Sequence, residues 1–126
     1  MILNLSNHPH ENWPEKQLRA ALAYGEVIDL PFPPVSPEAT EEELEQTALG
    51  LLRRIGEMKP DAVLVMGEFS LVFMLVDALL ESGIPVLTAA SRRVTTERAG
   101  EDGTVVKTAR FDFACFRPYL RLKPRD

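Results

Sequence analysis

Three short polar segments hold the residues best able to do chemistry: Ser6-Asn7-His8, Gly67-Glu68-Phe69-Ser70 and Ser91-Arg92-Arg93. His8 stands between Asn7 and Pro9, where an imidazole can give or take a proton near neutral pH or simply lie solvated. Gly67 lets backbone come close to a ligand, and a helix opening at Ser70 would offer N–H groups to an anion. Glu68 can serve a ribose hydroxyl but would repel phosphate. The alternative is a capping turn, in which Glu68 pairs with an arginine and Ser70 caps the helix. Two adjacent guanidiniums at Arg92 and Arg93 suit bidentate phosphate contact, with one of them pointing into a cleft; the alternative is surface ion pairing. No Gly-rich nucleotide fingerprint or Walker loop accompanies these residues.

Other polar residues offer less. His8 and His10 lack the further His or Cys spacing that a metal site needs, so neither a metal nor a cofactor is expected. Cys115, the only cysteine, lies between Ala114 and Phe116 and is expected to be a buried, inert thiol. Trp13, Tyr24, Met66 and Met74 are expected to pack. Lys107, Arg110 and Arg117 could face a cleft or a partner subunit. The aromatic run from Phe111 to Phe116 could form a dimer face or a stacking wall, with core packing as the default.

These segments must be positioned by elements legible in the apolar pattern. Residues 1–6 read as a strand. Pro14 opens a helix over 15–24 whose Leu18, Ala21 and Leu22 would face a core. A strand over 27–30 precedes a proline-stiffened loop at 31–37. Ser36 or Thr40 caps an acidic helix running to about Met58. The run 62–66 is apolar throughout, as in a strand covered on both faces. A turn at 67–70, a helix over 71–81 and a strand over 84–90 follow. Alternating strand and helix imply right-handed crossovers and a parallel sheet; if its order is 2-1-3-4, the carboxyl ends of strands one, three and four gather the three polar segments on one rim. Residues 92–97 could be extended or a short helical turn. Segments 104–108 and 111–116 read as strands of an antiparallel extension, and 121–126 as a loose charged tail.

The chain has 126 residues and a net charge of −5. That length suits one domain, taken as residues 1–120. Residues 1–90 hold five Lys and Arg against fourteen Asp and Glu, whereas residues 91–126 hold nine against five. The acidic body would repel duplex DNA, while the basic segment can hold a small anion. One cysteine excludes an intrachain disulfide framework. No apolar run is long enough for a membrane span, and the N-terminus lacks signal-peptide features, so a cytoplasmic protein is expected.

The runs Met66 to Ser70, Ala89 to Glu97, Asp102 to Lys107 and Phe111 to Tyr119, with the opening Leu3 to Pro9, resemble the small stand-alone CRISPR-associated ring nucleases of type III systems. The resemblance implies a Rossmann-like fold related to the CARF domain and a homodimer binding cyclic oligoadenylate across its cleft, cyclic tetra-adenylate being the first choice. It implies metal-independent cleavage by a ribose 2′-hydroxyl, which ends the antiviral signal. Relatives that only sense or sequester the messenger are the alternative, as is a regulatory subunit without nucleotide. On this reading His8, Arg92 and Arg93 are catalytic, with His8 transferring the proton. Ser6, Asn7, Gly67, Glu68, Phe69, Ser70, Ser91, Thr95 and Lys107 bind the ligand. Two-fold symmetry suits a ring with repeated phosphates and adenines.

Overall fold

Continuous apolar strands are stable only when both sheet faces are covered, and the order of elements shows how this chain covers them. In a computed structural model that describes residues 1–123, the strands are β1 (Ile2–Leu5), β2 (Val27–Asp29), β3 (Ala62–Val65), β4 (Val86–Ala99) and β5 (Val105–Pro118). The helices are α1 (Glu15–Leu22), α2 (Glu41–Met58) and α3 (Phe69–Glu81), with a 3-10 turn at His10–Asn12. One sheet of order β2-β1-β3-β4-β5 is parallel throughout except for the antiparallel β4–β5 pair. The expected strand order and antiparallel C-terminal extension are thus observed.

The reversal of strand order at β1 and β3 fixes the layers. Successive strands are added in the opposite direction across the sheet after β2, so right-handed crossovers put α1 on one face and α2 with α3 on the other. On the α2/α3 face, Leu3, Leu5, Val63 and Val65 pack with Leu51, Ile55, Leu71 and Leu75. On the α1 face, Ile2, Ala62, Leu64 and Leu87 pack with Trp13 and Ala21, and Phe116 leans against them. Burying one such aliphatic side chain is worth about 1.5–3 kcal/mol, so the centre of the sheet is the stable scaffold from which the rim is built.

Helix ends follow local chemistry. The Thr40 hydroxyl accepts from the Glu43 N–H at 3.1 Å, and Glu41, Glu42 and Glu43 fill the first turn of α2. Ahead of Pro60 the helical region is disfavoured, and Lys59 ends α2 in a left-handed conformation with φ 50°.

Several expectations are corrected. Helix α1 stops at Leu22, which is 64% exposed, because its apolar stripe is only two turns long and ends at Ala21. Residues 92–97 are extended, and β4 runs unbroken through them into a hairpin. Segments 104–108 and 111–116 are parts of one strand. Cys115 is exposed: it lies across from Ala90, on the hairpin face opposite Phe113 and Phe116, where no helix covers it. Arg121 bonds the Asp77 carboxylate at 3.0 Å and that of Glu81 at 2.8 Å, on α3. Residues 124–126 of the expected tail lie outside the described residues.

Candidate functional site

The loop leaving β1 is set by a buried amide. Asn4 is 1% exposed. Its Nδ2 donates to the His8 carbonyl at 2.9 Å and to Asp29 Oδ1 at 2.8 Å. Its Oδ1 accepts from the Ser6 hydroxyl at 2.7 Å, and that hydroxyl accepts from the His8 N–H at 3.2 Å. Trp13 Nε1 also donates to the His8 carbonyl, at 2.9 Å. A buried amide must satisfy all these groups or lose their full hydrogen-bond energy, so the backbone at His8 is clamped from two sides. Ser6 is spent in this clamp rather than facing a ligand. Asn7 and His8 remain exposed at the rim.

A second clamp holds the far end of the loop. Asp29 Oδ2 lies 3.0 Å from His10 Nδ1, and Asp29 Oδ1 accepts from the His10 N–H at 3.2 Å. Burial alone would raise the Asp29 carboxyl. Hydrogen bonds from Asn4 and from the ring and backbone of His10, with the imidazole charge, outweigh that effect and hold it below the ordinary carboxylate value.

The opposite wall comes from the hairpin, and a β-bulge shapes it. Ala90 pairs with Cys115 but Ser91 pairs with Phe113, so Ala114 is the extra residue. Paired residues share a face. The bulge therefore brings Phe113 and Phe116 to the same face, with ring centroids 5.0 Å apart. Without it, residues 113 and 116 would point opposite ways. Phe116 in turn lies 6.1 Å from Trp13, which ties the hairpin to the β1 loop.

Between these walls is a cleft of about 620 Å³. Asn7 and His8 from the β1 loop, Gln17 from α1, Ser91 from β4, and Phe111 and Phe113 from β5 border it. It lies at the carboxyl ends of β1 and β3, where strand order reverses, which is where open parallel sheets bind ligands. A neighbouring cleft of about 560 Å³ shares Pro14, Phe111 and Phe113 with it and is bordered by Arg92, Lys16 and Asp112. An aromatic wall thus joins a neutral polar end to a charged one.

The rim expected from three strand ends is assembled from two of them. Asn7, His8 and Ser91 converge, and Arg92 adjoins. After β3 only Met66 borders the cleft, and Gly67 to Ser70 take no part. There the Glu68 carboxylate caps α3, accepting from the Ser70 N–H at 3.0 Å and the Leu71 N–H at 2.9 Å. The Ser70 hydroxyl donates to the same carboxylate at 2.7 Å. These bonds, the hydroxyl first, hold the Glu68 carboxyl below its usual value. Glu68 rather than Ser70 is therefore the cap. Gly67 is needed because the Phe32 ring comes within 2.6 Å of where its Cβ would stand. Phe69, the first residue of α3, is 90% exposed and borders a different groove, with Phe73 and Tyr119.

Arg92 and Arg93 are neighbours on a strand, so they project to opposite faces. Arg92 pairs across from Asp112 and Arg93 from Phe111. Arg92 borders the second cleft; Arg93 borders neither. Neither forms an ion pair among the described residues. Thr95 and Lys107 lie farther out on the hairpin, and Lys107 sits 3.6 Å from Glu97. The described residues hold no group of three or more His, Cys, Asp or Glu that could hold a metal ion. They also include no helix long and apolar enough to cross a membrane. Asn4, Asp29, Gln17 and Lys16 escape sequence reading. The uneven aromatic spacing at 111, 113 and 116 is the one signal that could have revealed the bulge.

No curated protein matches the chain. A family model described as "Uncharacterized protein MJ1673 family" matches residues 1–117. That span takes in every strand of the sheet and all but the last residue of β5, and the chain belongs to this family.

Proposed function

We propose that this protein has a CARF-like Rossmann role: it binds cyclic oligoadenylate, cyclic tetra-adenylate first among the rings, and cleaves it as a ring nuclease of type III CRISPR defence. The observation that carries the reading is a pair of adjoining clefts that share Phe111 and Phe113, the first bordered by Asn7, His8 and Ser91 and the second by Arg92 and Lys16. Adenine has a flat face for the phenyl rings. Phosphate suits the Arg92 guanidinium, which forms no ion pair among the described residues. The cleft volume is within the range of about 300–1,000 Å³ typical of small-ligand sites, and it suits a segment of a ring rather than the whole. A second copy related by two-fold symmetry supplies the remainder.

In the proposed step a ribose 2′-oxygen attacks the adjacent phosphorus. The P–O5′ bond breaks, leaving a 2′,3′-cyclic phosphate and a 5′-hydroxyl. The 2′-hydroxyl proton passes to the His8 imidazole, and the leaving 5′-oxygen takes a proton from His8 or water. Arg92 offsets charge on the phosphoryl oxygens. Orienting the 2′-hydroxyl in line supplies much of the rate, since orientation is worth about 7 kcal/mol or more in favourable cases. The step as balanced draws on no metal or cofactor. One observation favours binding without turnover, as a sensor or sponge: Arg92 borders only the second cleft and Arg93 borders neither, so charge compensation there is modest.

The test is to incubate the purified protein with labelled cyclic tetra- and hexa-adenylate in EDTA. Cleavage with a 2′,3′-cyclic phosphate end is expected, slowed at least about tenfold by Arg92→Ala. An intact ring with a raised melting temperature selects the sensor. No cleavage and no shift at saturating ring overturns both readings.

A further inference from the structure

We propose that the outer edge of β5 pairs antiparallel with β5 of a second copy, about a two-fold axis at Phe111. In the sheet order β5 stands last, so one of its edges has no strand beside it. Its distal part, residues 105–112, is exposed throughout. A long edge strand bearing Val105, Val106 and Phe111 is a template for another strand. Phe111 is 72% exposed.

Hydrogen-bond phase fixes which residues can pair. At the hairpin tip the Gly100 N–H donates to the Thr104 carbonyl at 2.6 Å. In an antiparallel ladder, bonded pairs alternate with non-bonded ones. The register therefore makes Arg92–Asp112, Val94–Arg110 and Thr96–Thr108 the inward-bonded pairs. Lys107, Ala109, Phe111 and Phe113 direct their N–H and C=O outward.

A two-fold edge pairing places one residue opposite its own copy, either an outward residue at a bonded pair or an inward one at a non-bonded pair. Centred on Arg110 or Asp112, the axis sets like charges against each other, and centred on Thr108 it sets Arg110 against Val106. Centred on Lys107, the axis sets ammonium against ammonium. Centred on Ala109, it sets Arg110 against Thr108 and Asp112 against Val106. Centred on Phe111, it sets Arg110 opposite Asp112 twice over and phenyl beside phenyl, while Ala109 and Phe113 exchange bonds across the axis. Arg110 Nε and Asp112 Oδ1 are already 3.3 Å apart within one chain, so the paired edges close a ring of four alternating charges. The complementarity selects the Phe111 register.

This pairing has a consequence for the cleft, and that part rests on the proposed function. Phe111 borders both clefts. At the axis, each copy lends its phenyl ring to the wall of the other, and the two clefts become one trough with a symmetric aromatic floor. The shared strand segment is short, so the association is expected to be weak alone and tightened by any ligand that spans both halves.

Sedimentation velocity without nucleotide, over a concentration series, is expected to show a monomer–dimer equilibrium. Ala109→Pro removes only an outward N–H, which edge strands tolerate, and is expected to raise the dimer dissociation constant about tenfold or more. Arg110→Asp weakens association, and adding Asp112→Arg restores it. In a Cys115→Ala background, Phe111→Cys forms an intermolecular disulfide on oxidation and Ala109→Cys does not, since bonded antiparallel Cα atoms lie about 5.5 Å apart. These cysteine variants keep the test decisive should the proline variant not fold. A monomer at all concentrations, cross-linking through position 109 instead, or a dimer broken by Phe73→Glu on α3 but not by Ala109→Pro overturns the proposal. A monomer that still binds or cleaves the ring sinks the pairing and leaves the proposed function standing. A dimer of this register that ignores the ring does the reverse.

Discussion

The loops after β1 and β3 occupy neighbouring positions at the carboxyl end of one sheet, yet they use their polar residues in opposite ways. After β3, Glu68 and Ser70 bond to each other and to the first N–H groups of α3, so their chemistry is consumed locally. After β1, the polar residues that bond internally are Asn4, Ser6 and the backbone of His8. The side chains of Asn7 and His8 stay at the rim. The difference is one of distance to the next helix. A helix starting two residues past Gly67 needs a cap at once. The β1 loop runs to Pro14 before α1 begins, which leaves room for a clamp beneath and open side chains above. A polar residue at a strand end is thus available for a ligand only when no helix N-terminus claims it first.

Breaking the clamp tests this contrast most severely. Trp13→Ala removes a buried ring that packs on Phe116 and donates to the His8 carbonyl. A loss of about 3–5 kcal/mol in unfolding free energy is expected, measured by urea denaturation. A loss below about 1 kcal/mol would mean that the hairpin and the β1 loop are not joined through this ring. Asn4→Ala leaves Asp29, the buried Ser6 hydroxyl and the His8 carbonyl each short of a partner. Its expected cost is about 1–3 kcal/mol, with any ring cleavage lost alongside. The β3 turn offers the matching steric test. Gly67→Ala drives a Cβ into the buried Phe32 ring, for an expected cost of about 1–3 kcal/mol, yet it leaves the His8 clamp untouched. Ring binding, where present, should survive Gly67→Ala and not Asn4→Ala.

The same contrast explains what the sequence could and could not reveal. The parallel sheet was legible because the run 62–65 is apolar without interruption and the run 2–5 is broken only at Asn4, a pattern that suits a sheet covered on both faces. Asn4 hid inside one of those runs: pattern reading takes it as a tolerated interruption, and its partner Asp29 is twenty-five residues away. The hairpin was read in pieces because both faces of its outer half are exposed, so no hydrophobic period marks it as strand. The bulge at Ala114 depends on pairing with β4, a long-range fact that composition does not carry. Three candidate segments were found by residue type. Which of them converge was decided by capping at Glu68 and by strand alternation at Arg92 and Arg93, both of which need the backbone's phase.

The smallest effect separates the two regions by pH. Asp29 and Glu68 both have carboxyls held below their ordinary values. A carboxyl depressed in the folded state adds stability that is complete above its unfolded value, about pH 4, and is lost as pH falls through the folded value. Both regions therefore lose support in acid, but they differ in what loosens. Protonating Asp29 frees His10 and one partner of Asn4, so the change reaches the loop that ends at Trp13. Protonating Glu68 frays only the start of α3. Trp13 is the sole tryptophan, and its fluorescence reports the first event alone. Asp29→Asn is expected to shift Trp13 emission at neutral pH, with the difference from wild type shrinking as both are acidified. Glu68→Gln is expected to lower the melting temperature slightly and leave the emission maximum where it was. Equal emission shifts in the two variants would show that the β1 and β3 loops relax as one unit, and the division between a spent turn and an open loop would fall.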